Sequence, residues 1–119
     1  MRVQQLLRWQ WEGYARYHQS RPNLLIHVVA VPLFLLGTLA LVGAIARLSS
    51  MLLAVAIACI VVSVALQGRG HRSEPVPPAP FDGPLNFLSR LFLEQCVTFP
   101  RFVFSGRWLA ALRNSAREP

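Results

Sequence analysis

Three histidines, His18, His27 and His71, are the residues of this 119-residue sequence best suited to chemistry. Neutral imidazole is the commonest metal ligand among side chains, and three of them gathered near Glu74 would make a site for a transition metal such as iron or zinc. Their neighbours suit that use. Tyr14 and His18 stand one helical turn apart, as do His71 and Glu74, so each pair can share a site or a supporting hydrogen bond. Glu74 is placed either as a ligand or as an orienting partner. Any one histidine alone is as easily an interfacial polar residue, but the three together are harder to explain that way.

Other chemistries find no footing. The sequence has no HExxH zinc motif, no GxSxG elbow, no glycine-rich phosphate loop and no paired-cysteine motif, which removes the metalloprotease, elbow-hydrolase and nucleotide readings. Cys59 falls inside an apolar run and Cys96 in a later helical stretch, so they read as buried free thiols rather than a disulfide framework.

The elements that must position the histidines are set by hydropathy. Hydrophobic residues make up 54% of the chain and charged ones only 14%, well below the usual quarter or so for soluble domains. No side chain from Asn23 to Ala46 carries a fixed charge, nor does any from Leu48 to Gln67, with Arg47, Ser49 and Ser50 marking the break. Each run approaches the ~20 residues that span a bilayer core. The expected fold class is therefore an all-α integral membrane helical hairpin, with transmembrane helices over 24–46 and 48–67. So short a chain has little else with which to wrap two such apolar helices. A cleaved leader is a poor fit, because more than twenty residues rich in Trp, Tyr and Arg precede the first run.

The net charge of +7 comes from arginine alone. Four arginines precede the hairpin, seven follow it, and its turn holds only Arg47. This asymmetry places Arg2 and Arg117 together on the cytoplasmic side and Arg47 on the other. Arginines scattered beside membrane spans meet anionic lipid rather than nucleic acid. With both ends of the hairpin on one side, His18, His27 and His71 converge there.

Around the hairpin, residues 1–22 carry Leu6, Leu7, Trp11, Tyr14 and His18 at helical spacing and read as an interfacial helix. Pro22 ends it, and Asn23 is the expected N-cap of the first span. Pro32 should kink that span. Residues 68–84, with two glycines and then Glu74-Pro-Val-Pro-Pro-Ala-Pro, read as an ordered loop. Residues 85–112, interrupted at Pro100, read as interfacial or re-entrant helices against the hairpin. The whole is one membrane domain, 1–119, and the sequence admits a homo-oligomer.

Two stretches resemble one known family. Tyr14-Ala-Arg-Tyr-His18-Gln-Ser-Arg-Pro-Asn23-Leu-Leu-Ile-His27, followed by Val31-Pro32, and Gln67-Gly-Arg-Gly70-His71-Arg-Ser-Glu74 before the proline-rich loop resemble, in motif and spacing, the small membrane 2-hydroxy-fatty-acid dioxygenases, the fungal enzyme of fatty-acid alpha-oxidation and its bacterial relatives. The resemblance runs over about residues 11 to 105. It implies ferrous iron held by His18, His27 and His71, with Tyr14, Asn23 and Gln67 in support. The implied substrates are a 2-hydroxy fatty acid or related membrane lipid and dioxygen, the product an acid one carbon shorter, and the location a bacterial inner membrane. Arg16, Arg21, Arg69 or Arg72 could pair with the substrate carboxylate, or snorkel to lipid phosphates. Two other readings use the same residues: a zinc-dependent lipid hydrolase, and a non-catalytic membrane protein or complex subunit whose histidines only cap helices and bind head groups.

Overall fold

In a computed structural model, which describes residues 2–115, each uncharged run forms one helix. Arg117, half of the topology expectation, lies outside the described residues. The first long helix, α2 (Arg21–Arg47), starts where the Ser20 side chain accepts from the Asn23 amide at 3.3 Å. Ser20, not Asn23, is thus the N-cap. Pro22 falls in the first turn, where its missing N–H costs nothing. The helix continues across Pro32 and closes at Leu48, whose φ of 51° and ψ of 41° are left-handed. Ser49 then caps α3 (Ser50–His71) by accepting from the Leu52 amide at 3.2 Å. Leu48 and Ser49 therefore make the whole turn of the hairpin.

Small residues let α2 and α3 lie close together. Ala30, Gly37, Ala44, Ala56 and Ser63 are all buried along their seam. A Cβ on Gly37 would stand 3.0 Å from both Cys59 Cβ and Ile60 Cγ1, so glycine is required for this approach. The outward faces are different. Leu39 and Val42 are 69% and 63% exposed, and only 28% and 17% of the most apolar windows of α2 and α3 are buried. A soluble core helix buries its apolar surface, whereas these two are long and apolar enough to cross a membrane and leave it open.

The remaining helices gather at one end of the pair. α1 (Val3–Tyr17) comes first, and the chain after α3 forms α4 (Pro84–Leu93), a π-helical segment (Glu94–Thr98), α5 (Phe99–Phe104) and α6 (Arg107–Ser115). α3 runs past the expected end at residue 67, through Gly68 and Gly70, as far as His71. The interruption expected at Pro100 is absent because the π segment absorbs it. There the Phe99 amide donates to the Glu94 carbonyl five residues back, which places Pro100 in the first turn of α5. A proline there removes no helical hydrogen bond.

Tyr14, Leu24, Val31, Phe99 and Phe102 form the buried core beneath this assembly, with Trp11, Leu35 and Trp108 packed around it. Trp108 Nε1 donates to the Leu24 carbonyl at 3.0 Å and ties α6 to α2. Both cysteines are free, but Cys59 is half-buried and Cys96 exposed, in place of the buried pair expected.

Candidate metal centre

His18 is the residue with which α1 ends, His27 lies in the second turn of α2, and His71 is the last residue of α3. The two short connections thus bring all three imidazoles to one end of the hairpin. Ring centroids are 4.9 Å apart for His18 and His27, 4.9 Å for His18 and His71, and 5.2 Å for His27 and His71.

Backbone carbonyls fix two of the rings. His18 Nδ1 lies 2.8 Å from the Tyr14 carbonyl oxygen and His27 Nδ1 lies 3.0 Å from that of Asn23. A carbonyl only accepts, so each Nδ1 carries the proton and each Nε2 keeps its lone pair. Those two Nε2 atoms are buried without a hydrogen-bond partner, and so is His71 Nδ1.

The fourth group is a carboxylate that sequence reasoning passed over. Glu94 Oε2 lies 3.4 Å from His18 Nε2 and 3.5 Å from His27 Nε2, with its side chain 16% exposed. One donor atom from each of His18, His27, His71 and Glu94 falls within 4.8 Å of the others. Two ligands at bonds of ~2.1 Å across a tetrahedral angle stand ~3.4 Å apart, so the spacing suits a transition metal. The electrostatics suit one too. Two imidazole lone pairs facing a carboxylate oxygen repel it unless a proton or a cation sits between them.

Tyr14 supports both sides of this cluster. Its ring stacks on His18 with centroids 3.8 Å apart, and its hydroxyl donates to Glu94 Oε2 at 2.8 Å. Burial first, and then the Glu94 charge, push the Tyr14 hydroxyl well above its usual range, so it stays a donor. Burial alone would raise the Glu94 carboxyl. Once a facing Nε2 carries a proton, the His18 and His27 rings outweigh it and hold Glu94 well below the usual carboxylate range.

Glu74, expected as a ligand or an orienting partner, bonds to the α1–α2 turn and not to the imidazoles. Its Oε1 accepts from the Gln19 and Ser20 amides at 2.8 and 3.1 Å, and its Oε2 accepts from Asn23 Nδ2 at 2.7 Å. It pins the α1–α2 turn that carries His18. Gly70 completes this contact, because a Cβ there would overlap Asn23 Oδ1.

Gln67 braces the carboxylate from behind. It exchanges reciprocal hydrogen bonds of 2.9 and 2.8 Å with Gln95, and its Nε2 also donates to Ser63 Oγ at 3.1 Å. Gln95 is fully buried and neighbours Glu94 in the π segment, so this pair sets where Glu94 enters the site. The overlooked signal was polarity: Glu94 and Gln95 interrupt an apolar helical stretch, the feature that singled out His27.

A cavity of about 490 Å³ opens on the cluster, with Tyr14, His18, His71 and Glu94 in its wall. Of the four arginines considered for a carboxylate, only Arg72 lines it. Arg16 lines a second cavity beyond His18, and Arg21 and Arg69 are exposed and line neither.

Residues 5–99 match the family model described as 2-hydroxy-palmitic acid dioxygenase Mpo1-like. No curated protein and no solved structure matches the chain.

Proposed function

Because the chain belongs to the 2-hydroxy-palmitic acid dioxygenase Mpo1-like family, we propose that it is an iron-dependent membrane dioxygenase that shortens 2-hydroxy fatty acids by one carbon. The observation that carries this reading is the convergence of three partnerless imidazole nitrogens on the Glu94 carboxylate. His18, His27, His71 and Glu94 would hold the metal. Ferrous iron, when bound, supplies the one-electron chemistry that lets dioxygen react with a closed-shell acid.

With dioxygen as sole oxidant the reaction balances. The bond between carbons 1 and 2 breaks, carbon 2 becomes the new carboxyl, carbon 1 leaves as carbon dioxide, and one water forms. The chain's own residues prepare the site. The Tyr14 and Asn23 carbonyls hold the His18 and His27 rings so that Nε2 faces inward, and Tyr14 keeps Glu94 turned toward them. Glu74 fixes the turn beneath His18. The exposed apolar faces of α2 and α3 support insertion as a hairpin, and the arginine asymmetry supports an orientation with both termini cytoplasmic.

The test is incubation of purified, iron-loaded protein with 2-hydroxyhexadecanoic acid, with and without oxygen, followed by mass spectrometry. Oxygen-dependent pentadecanoic acid, lost in His71→Ala, is expected. Turnover that needs zinc but no oxygen would replace the reading with hydrolysis. Absence of any bound metal would replace it with a non-catalytic role.

A further inference from the structure

The cavity beside the cluster has a charge balance that singles out one residue. Apolar groups such as Trp9, Val64, Phe81 and Leu91 dominate its wall, and two arginines, Arg72 and Arg90, reach it. Arg90 is committed to the fold. Its terminal nitrogens donate to the Pro80 and Ala79 carbonyls, each at 2.9 Å, and its guanidinium lies 4.0 Å from the Phe81 ring centroid and 5.0 Å from that of Trp9. It clamps the proline-rich loop against α1 and α4.

The two carboxylates in the wall are committed as well, Glu74 to three N–H donors and Glu94 to Tyr14 and the histidines. Arg72 has none of this. Among the described residues no carboxylate lies within ion-pair distance of it and no side-chain hydrogen bond restrains it. It follows His71 directly in the chain and ends α3.

We propose that Arg72 is the receptor for the carboxylate of a single-chain amphiphile whose tail lies in this cavity under the proline-rich loop. A guanidinium offers a carboxylate two parallel N–H donors, and the one uncommitted cation on an apolar wall sets the demand for one anionic head. Because Arg72 adjoins His71, a carboxylate held there leaves the carbon next to it closest to the imidazoles. Arg72 is in this sense a positioning and selecting residue: it favours free acids over esters and amides and directs the cluster to carbon 2. This refines the dioxygenase reading and rests on it for the reaction, but not for the binding.

The test separates the two. Metal-free protein in lipid nanodiscs is titrated with 2-bromohexadecanoic acid or its methyl ester, and quenching of tryptophan emission, with Trp9 in the cavity wall, reports binding. Arg72→Gln should weaken the acid about tenfold and leave the ester unchanged, as expected for loss of a charge-assisted contact. Arg72→Lys should recover much of the difference. Equal effects on acid and ester, or no effect on the acid, overturn the assignment. In iron-loaded protein of unchanged iron content, Arg72→Gln should raise KM for the 2-hydroxy acid about tenfold, and an unchanged KM overturns it. Acid-selective, Arg72-dependent quenching in a wild-type protein without turnover would uphold Arg72 and overturn the reaction.

Discussion

Gly68 and Gly70 lie two residues apart in α3, and alanine at each should move stability in opposite directions. Nothing stands within 4 Å of a Cβ built on Gly68. Gly68→Ala therefore gains helix propensity alone, about 0.5–1 kcal/mol. A Cβ on Gly70 overlaps Asn23 Oδ1 and stands 3.2 Å from Asn23 Cγ and 3.3 Å from its Cα. Asn23 cannot give way: it is fully buried and its Nδ2 is held by Glu74 at 2.7 Å. Overpacking of this kind costs about 1–3 kcal/mol, and rotating Asn23 away would forfeit a hydrogen bond to a charged group worth about 1.5–3 kcal/mol. Set against the same propensity gain, Gly70→Ala should lose about 1 kcal/mol net, some ~2 kcal/mol below Gly68→Ala. At a few degrees per kcal/mol, the two melting temperatures in detergent should separate by roughly 10 °C. Gly70→Ala should also bind metal more weakly, since it shifts His71 relative to His18 and His27. Equal melting temperatures for the two variants would refute the close approach of α3 to Asn23, and with it the placement of His71.

Three further outcomes are expected. Glu94→Gln should lower bound metal at least tenfold with little change in the metal-free melting temperature, whereas Glu74→Gln should lower that temperature more than it lowers metal content; metal analysis and thermal unfolding of both variants check this. Metal removal should destabilise the wild type, by ~2.7 kcal/mol when free metal had been 100 times its Kd, and should leave His18→Ala, His27→Ala and His71→Ala unmoved, as read from melting with and without chelator. Reporter fusions should place both termini in the cytoplasm and Arg47 outside, and an outward terminus would undo the orientation argument.

The hairpin and its histidines were legible because their signals are local or follow from topology. Two uncharged runs and one short break give the helices, and a hairpin necessarily returns His71 to the level of His27. Glu94 was not legible in the same way. Its place depends on the π segment, where one extra residue per turn brings both Glu94 and Gln95 inward, and Pro100, read from sequence as a stop, is accommodated by that widened turn. Glu74 reaches the turn beside His18 and not the imidazoles for a related reason. Helical spacing puts it one turn from His71, but the chain leaves the helix after His71, and the free Gln19 and Ser20 amides capture the carboxylate.

The π segment also makes the helix around Pro100 sensitive to chain length as well as to residue type. A π turn is a helix carrying one residue more than its pitch accommodates, so deleting exposed Val97 would restore ordinary α-helical phase between α4 and α5. The four remaining steps from Glu94 to Phe99, at about 100° each, cover nearly the angle that five steps of the wider turn cover now, so α4 and α5 would keep their relative orientation. Pro100 would fall inside a continuous α-helix, its ring against the carbonyl four residues back, at a cost of ~3 kcal/mol. Combined with Pro100→Ala, the same deletion would yield a more regular helix without that cost. In this chain a surplus residue and a proline offset one another: the widened turn spares the proline the carbonyl it would otherwise meet.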